Sequence, residues 1–131
     1  MYKHKTEIRV RYAETDRMGV VYYANYLVWF EVARTEYLKS KGVSYRLMEE
    51  SEGIFLMVAE SRCRHLSPTT YDDTVTVETC LSSMKNASMT FRYDVFAGGK
   101  LAASGETVHV CTDRNRRPVK IPVSLKEKLA G

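Results

Sequence analysis

Residues 25–42, NYLVWFEVARTEYLKSKG, break the rhythm of a chain that otherwise alternates. Tyr26, Phe30, Ala33 and Tyr37 recur at i, i+4, i+7 and i+11, with Leu27, Arg34 and Leu38 beside them, which predicts a helix over Asn25 to Lys41. Gly42 is well placed to end it, and Lys39 and Lys41 suit its negative end. The first turns, YLVWF, are apolar all round, so the helix is expected to be buried on more than one side. YRLMEES, from Tyr45, predicts a short second helix.

On either side of this block the period is two. In TEIRVRY, Ile8, Val10 and Tyr12 face away from Glu7, Arg9 and Arg11, the mark of a half-buried strand. Four more strand candidates follow the helix: FLMVAESRCRHL, TVTVETCL, SMTFRYDVF and KLAASGETVHVCT. The first alternates least cleanly, with Leu56, Val58 and Leu66 set against Phe55, Met57, Ala59 and Cys63. Turn signals separate them at Ser67-Pro68, Tyr71-Asp72-Asp73, Lys85-Asn86 and Ala97-Gly98-Gly99-Lys100, the last a hairpin signal. The expected class is α+β: a curled antiparallel sheet of about five strands around one long central helix. Residues 1–131 read as a single domain. An open sheet leaves edges, and pairing with a copy of itself removes one, so a homo-oligomer is expected.

Composition narrows the function classes. The chain has 131 residues, 44% of them hydrophobic and 27% charged, and no apolar run long enough to span a membrane. MYKHKTEIRV has no signal-peptide core, and three widely spaced cysteines (Cys63, Cys80, Cys111) suit reduced thiols, so a cytoplasmic protein is expected. The three histidines, His4, His65 and His109, show no metal-ligand spacing, and no metal site is expected. Twenty basic residues against 16 acidic give a modest positive charge, much of it in DRNRRPVKIPVSLKEKL. That cluster lacks aromatic interleaving and any nucleic-acid-binding motif, which argues against a nucleic-acid partner.

Just before the helix lies AETDRMGVVYYANY, residues 13–26, in which Asp16 precedes an aromatic run. A carboxylate there is commonly a cap. The features Tyr12, Thr15-Asp16, Gly19-Val20-Val21-Tyr22, Asn25-Tyr26, Phe30-Glu31 and Arg34 nevertheless resemble the signature of the 4-hydroxybenzoyl-CoA thioesterase family, of the hotdog fold. The nearer likeness is to its bacterial acyl-CoA thioesterase branch, which includes the Tol–Pal-associated enzymes. SPTTYDDTVTVET and RNRRPVKIP extend the resemblance along nearly the whole chain. Many members of that branch carry His at the position of Tyr23, whereas the hydroxybenzoyl-specific enzymes have Tyr.

The resemblance implies an acyl-CoA thioesterase with Asp16 as nucleophile or general base and the backbone N–H of Tyr23 polarising the carbonyl. Substrate or CoA contacts are expected at Gly19, Val20, Tyr22, Asn25, Arg116 and Arg117. Both catalytic roles are chemically sensible. A helix start offers unpaired N–H groups to a developing oxyanion. A thiolate of pKa about 8.5 leaves without a strong acid, so one carboxylate can suffice. No cofactor is implied beyond the coenzyme A of the substrate; the acyl carrier is CoA or an acyl-carrier protein. The assembly implied is a dimer or a tetramer built from two dimers.

Other residues read more plainly. Asn25 suits a helix cap. Glu31 and Arg34, three apart, suit a structural ion pair inside the fold or at a subunit contact. His65 and His109 lie in strand patterns and read as structural; Tyr12 and Trp29 read as core. Arg114, Arg116, Arg117 and Lys120 suit either the phosphates of coenzyme A or a solvated surface. The alternatives are a hotdog hydratase or dehydratase, which needs a histidine paired with an acid where none of the three histidines here lies in such a motif, and a non-catalytic module that binds acyl-CoA or acyl-carrier protein.

Overall fold

The computed structural model describes residues 1–130. Five strands form one antiparallel sheet: β1 (His4–Arg9), β2 (Phe55–His65), β3 (Thr74–Met84), β4 (Ser88–Ala97) and β5 (Lys100–Thr112), in the order β1-β3-β4-β5-β2. The long helix α1 (Asn25–Ser40) packs on the sheet, with the short helix α2 (Tyr45–Glu50) after it.

Helix α1 ends as its sequence predicts. Gly42 takes φ +77°, its N–H donates to the Lys39 carbonyl, and the Val43 N–H donates to Leu38. Val43 and Leu38 are both buried, which completes the apolar contact of this glycine-based stop. At Ala97–Lys100 the two strands are joined by Gly98 and Gly99, both at positive φ, the two-residue hairpin that matches the strand twist.

Phe30 stacks on Tyr93 with ring centroids 4.2 Å apart and planes 5° from parallel, and both rings are fully buried. Gly105 of β5 lies directly below: a Cβ there would collide with the Phe30 ring and the Arg62 carbonyl. The missing side chain lets the helix sit close on the sheet. Val75, Val77, Met89, Phe91 and Val95 complete the seat.

Four expectations need correction. Tyr12 is 77% exposed, because β1 ends at Arg9 and the chain turns into a 3-10 turn at Tyr12–Glu14; its ring rests on that of Tyr71, centroids 5.6 Å apart. The alternation of β2 is interrupted by an irregularity between Val58 and Glu60, and Val58, expected on the buried face with Leu56, is 52% exposed. Glu31 and Arg34 form no ion pair among the described residues: Arg34 turns inward, 8% exposed, while Glu31 faces solvent. And α1 is covered on one side only, leaving Leu27, Val28 and Val32 exposed. A further helix, α3 (Val123–Ala130), occupies what reads as a charged tail; Leu125 and Leu129, one turn apart, are its buried face.

Candidate active site

The loop between β1 and α1 is held by a buried carboxylate. Glu14 is 4% exposed; one of its oxygens accepts the Arg11 N–H at 2.8 Å and the other the Trp29 indole N–H at 2.8 Å. Its backbone carbonyl accepts the Tyr22 N–H and the Asn25 side-chain amide, each at 2.8 Å. Glu14 therefore pins the start of the loop, the end of the loop and the second turn of α1 to one another. Asn25 is the first residue of α1 and donates sideways to this carbonyl, so it is a strut and not a cap.

Between these anchors residues 15–21 form a small hairpin. Thr15 bridges Val21, the Asp16 N–H donates to Val20, and the Gly19 N–H closes a turn onto the Asp16 carbonyl. Gly19 has φ +80° with open space around it, so its backbone conformation calls for glycine here. The Val21 N–H donates to Thr69, fastening the hairpin to the segment after β2.

Asp16 stands at the tip. Its Oδ1 accepts the Met18 N–H at 2.8 Å, which fixes the carboxylate. Oδ2 has no partner among the described residues. Asp16 caps no helix; α1 begins nine residues later. It lies on the wall of a cleft of about 340 Å³ shared with Val20, Tyr23, Tyr26, His65 and Leu66. On its other side, with Gly19, Tyr12 and Tyr71, it borders a second hollow of about 630 Å³.

The approach to α1 supplies donors. Tyr22 and Asn25 spend their N–H groups on carbonyls, whereas those of Tyr23 and Ala24 bond to nothing among the described residues. Two free amides at a helix start are the feature suited to a developing oxyanion. The Tyr23 ring is 63% exposed and lies 4.7 Å from that of Tyr22. The Tyr22 hydroxyl has a raised pKa, through hydrogen bonding and charge coupling with Tyr23, with slight burial and Asp16 adding to the effect. Tyr26 is buried and its hydroxyl shares a 2.7 Å hydrogen bond with the fully buried Thr69.

Three members of this cleft and its supports are not among the residues expected there from sequence: Glu14, Thr69 and His65. The last residue of β2, His65 is exposed in the cleft, its ring 4.9 Å from that of Tyr26 and nearly perpendicular to it. Only Glu14 left a signal, because a buried indole such as Trp29 needs an acceptor.

His109 is the histidine that is structural. It is fully buried, and its Nδ1 faces the Leu56 carbonyl at 3.4 Å, which places the proton there. Nε2 then accepts from the Thr107 hydroxyl at 2.8 Å, which in turn accepts from Tyr93 at 2.6 Å. Burial, and after it the Arg34 guanidinium, push the His109 pKa down to about 4.

Arg116 and Arg117 are not brought to the cleft within one chain. They lie in the turn after β5, where Asp113 accepts the Asn115 and Arg117 N–H groups. That turn follows Thr112, which pairs with Phe55 at the start of β2, whereas His65 is at its end. At about 3.3 Å per residue the two ends are roughly 30 Å apart. Among the described residues no group of three or more His, Cys, Asp or Glu could hold a metal ion, and no helix is long and apolar enough to cross a membrane.

Residues 10–129 match the model of the thioesterase-like superfamily. The YneP protein of Bacillus subtilis is 37% identical over 115 residues, covering 87% of this chain and 83% of that one. The acyl-CoA thioester hydrolase YbgC of Escherichia coli is 31% identical over 120 residues, covering 90% and 89%. Among solved structures, the DHNA-CoA thioesterase of Staphylococcus aureus superposes with a TM-score of 0.95 at 33% identity, over 99% of this chain and 90% of that one.

Proposed function

The chain belongs to the thioesterase-like superfamily, and from that premise we propose that it hydrolyses acyl-CoA thioesters to a carboxylic acid and free CoA, with Asp16 as the reactive carboxylate. One juxtaposition carries this reading: a carboxylate with one fixed and one uncommitted oxygen shares a cleft with Tyr23, whose amide at the helix start is uncommitted. Oδ2 attacks the thioester carbonyl or draws a proton from water that does so. The Tyr23 N–H, with that of Ala24 beside it, receives the negative charge on the carbonyl oxygen, and the thiolate leaves unaided. A tyrosine in place of histidine at position 23 leaves this donor intact, because the amide does the work. Gly19, Val20 and Tyr22 shape the entrance around the carboxylate. The reaction needs no cofactor besides the substrate's own CoA, and the free thiols of Cys63, Cys80 and Cys111 support a cytoplasmic setting.

The assembly we infer is a homodimer joined through β2. The β1 edge is charged and paired: Lys3 and Lys5 meet Glu78, and Arg9 meets Asp72. The β2 edge is charged too, at Glu60, Arg62 and Arg64, but near its start it exposes Met57 and Val58. Leu27, Val28 and Val32 give α1 an exposed apolar face as well, and an unpaired strand with apolar neighbours invites a second copy. Antiparallel pairing of β2 with its twin sets the start of one strand beside the end of the other. That brings Arg116 and Arg117 of one subunit toward the Asp16 cleft of its partner, where CoA phosphates would lie.

Thiol release from acyl-CoA tests the reaction. Asp16→Asn is expected to bind substrate and lose turnover; wild-type turnover in that variant overturns the role of Asp16. One observation favours a second reading: His65 and Asp16 line the same cleft, the two residue types a hydratase uses, though they form no hydrogen bond with each other among the described residues. Hydration of crotonyl-CoA without thiol release would establish it instead. Mixing tests the dimer. Asp16→Asn and the Arg116→Ala/Arg117→Ala double variant, each poor alone at low substrate, should regain activity when co-refolded; no regain removes the crossed site.

A further inference from the structure

The imidazole of His65 lines the cleft and has no part in attacking the carbonyl or polarising it. It is held by the fold, not left to wander. His65 pairs with Ala103 at the end of β2, and its ring meets Tyr26 edge-on at 4.9 Å and Tyr23 edge-on at 6.4 Å. Tyr26 is itself buried and tied to the buried Thr69, which fixes the ring that His65 meets. Nδ1 faces the Cys63 sulfur at 4.0 Å, while Nε2 has no partner among the described residues.

The groups facing His65 narrow its task. From its own strand comes Cys63, whose thiol burial pushes up to about 11; from α1 and its approach come Tyr26, raised by burial, and Tyr23. Asp16 comes from the hairpin, and no Lys or Arg lines the cleft. Cys63 and Tyr26 keep their protons at neutral pH. Tyr23 and Ser67 add only hydroxyls to the lining; Asp16 supplies a carboxylate, and the imidazole is the side chain suited to proton transfer near neutrality.

Resting on the thioesterase reading, we propose that His65 is a catalytic base that takes the proton of the hydrolytic water, while Asp16 forms the bond to the acyl carbon. In the first step Asp16 Oδ2 bonds to the carbonyl carbon, the C–S bond breaks with its electron pair on sulfur, and CoA thiolate leaves an acyl–Asp16 anhydride. In the second, water bonds to the acyl carbon as one of its protons passes to His65 Nε2. The bond from the acyl carbon to the Asp16 oxygen breaks, giving the free acid and restoring the Asp16 carboxylate. The imidazolium then returns its proton to the thiolate or to solvent. The carboxylate and the imidazole thus divide attack from hydrolysis.

The separation of steps makes the test specific. Thiol release is followed by stopped flow with acetyl-, hexanoyl-, palmitoyl- and benzoyl-CoA, for the wild type, His65→Phe and His65→Ala. His65→Phe keeps an aromatic ring against Tyr26 and loses the base. It should release thiol in a burst of about one equivalent per active site and then turn over roughly 10²-fold more slowly, with the acyl group on Asp16 by mass spectrometry. The acid limb of the wild-type kcat–pH profile should vanish, and free imidazole should accelerate His65→Ala. An active wild type with a His65→Phe variant that is unimpaired, or impaired without burst and with His65→Ala unmoved by imidazole, overturns the role of His65 alone. A wild type that releases thiol from none of the four overturns the thioesterase reading, and the proposal with it.

Discussion

His65 and His109 belong to neighbouring, paired strands, β2 and β5, and their sequence settings look alike, yet they have opposite fates. His109 is sealed under the sheet, every ring nitrogen bonded, and burial keeps it neutral. His65 ends its strand in an open cleft with one nitrogen uncommitted. What separates them is surroundings. A histidine whose two nitrogens are satisfied in a dry interior serves stability, and one facing a cleft beside an uncommitted carboxylate is free for the chemistry proposed above. Substitutions at the cleft should therefore cost turnover with little stability, and those in the buried cluster stability with little direct effect on chemistry.

The largest expected effect is at the cleft. Asp16→Asn should lower kcat by about 10²–10⁴-fold, read by thiol release, while its melting temperature stays near that of the wild type. A large loss of stability there would break the comparison. Glu14→Ala cuts across it, because Glu14 holds both the fold and the Asp16 hairpin. It leaves the Trp29 indole and the Arg11 amide unpaired and should cost about 1–3 kcal/mol in denaturant unfolding, with turnover falling as well.

The smallest effect is the pH dependence carried by His109. An unfolded chain protonates this imidazole below about 6.5, whereas the folded protein holds it neutral to about 4. Its contribution is fully present above the unfolded value and is lost as pH falls from 6.5 toward 4. Melting temperatures followed over that range should fall more steeply for the wild type than for His109→Gln. Parallel curves would show that another group carries the acid sensitivity.

Much of the architecture was legible because it is periodic. The α1 boundaries, the glycine that ends it and the Gly98-Gly99 hairpin are local decisions, and local chemistry encodes them. The errors have two sources. Tyr12 reads as core because it continues an alternation that the 3-10 turn interrupts. The tail helix α3 hides its two leucines among charges, and Glu31 and Arg34 have pairing spacing but opposite exposures. The turn at Tyr12 is local, whereas the burial of Leu125, Leu129 and Arg34 is decided by residues distant in sequence.

The site divides along the same line. Asp16, Gly19 and Tyr23 lie within one short stretch, where carboxylate, turn and helix start are covalently close, so the sequence alone determined them as candidates. Glu14 bracing Trp29, Thr69 fastening both Val21 and Tyr26, and His65 reaching the cleft from the end of β2 depend on strand pairing and helix packing. Only the tertiary structure could decide these, because burial and hydrogen-bond partners are properties of the folded surroundings rather than of the residue.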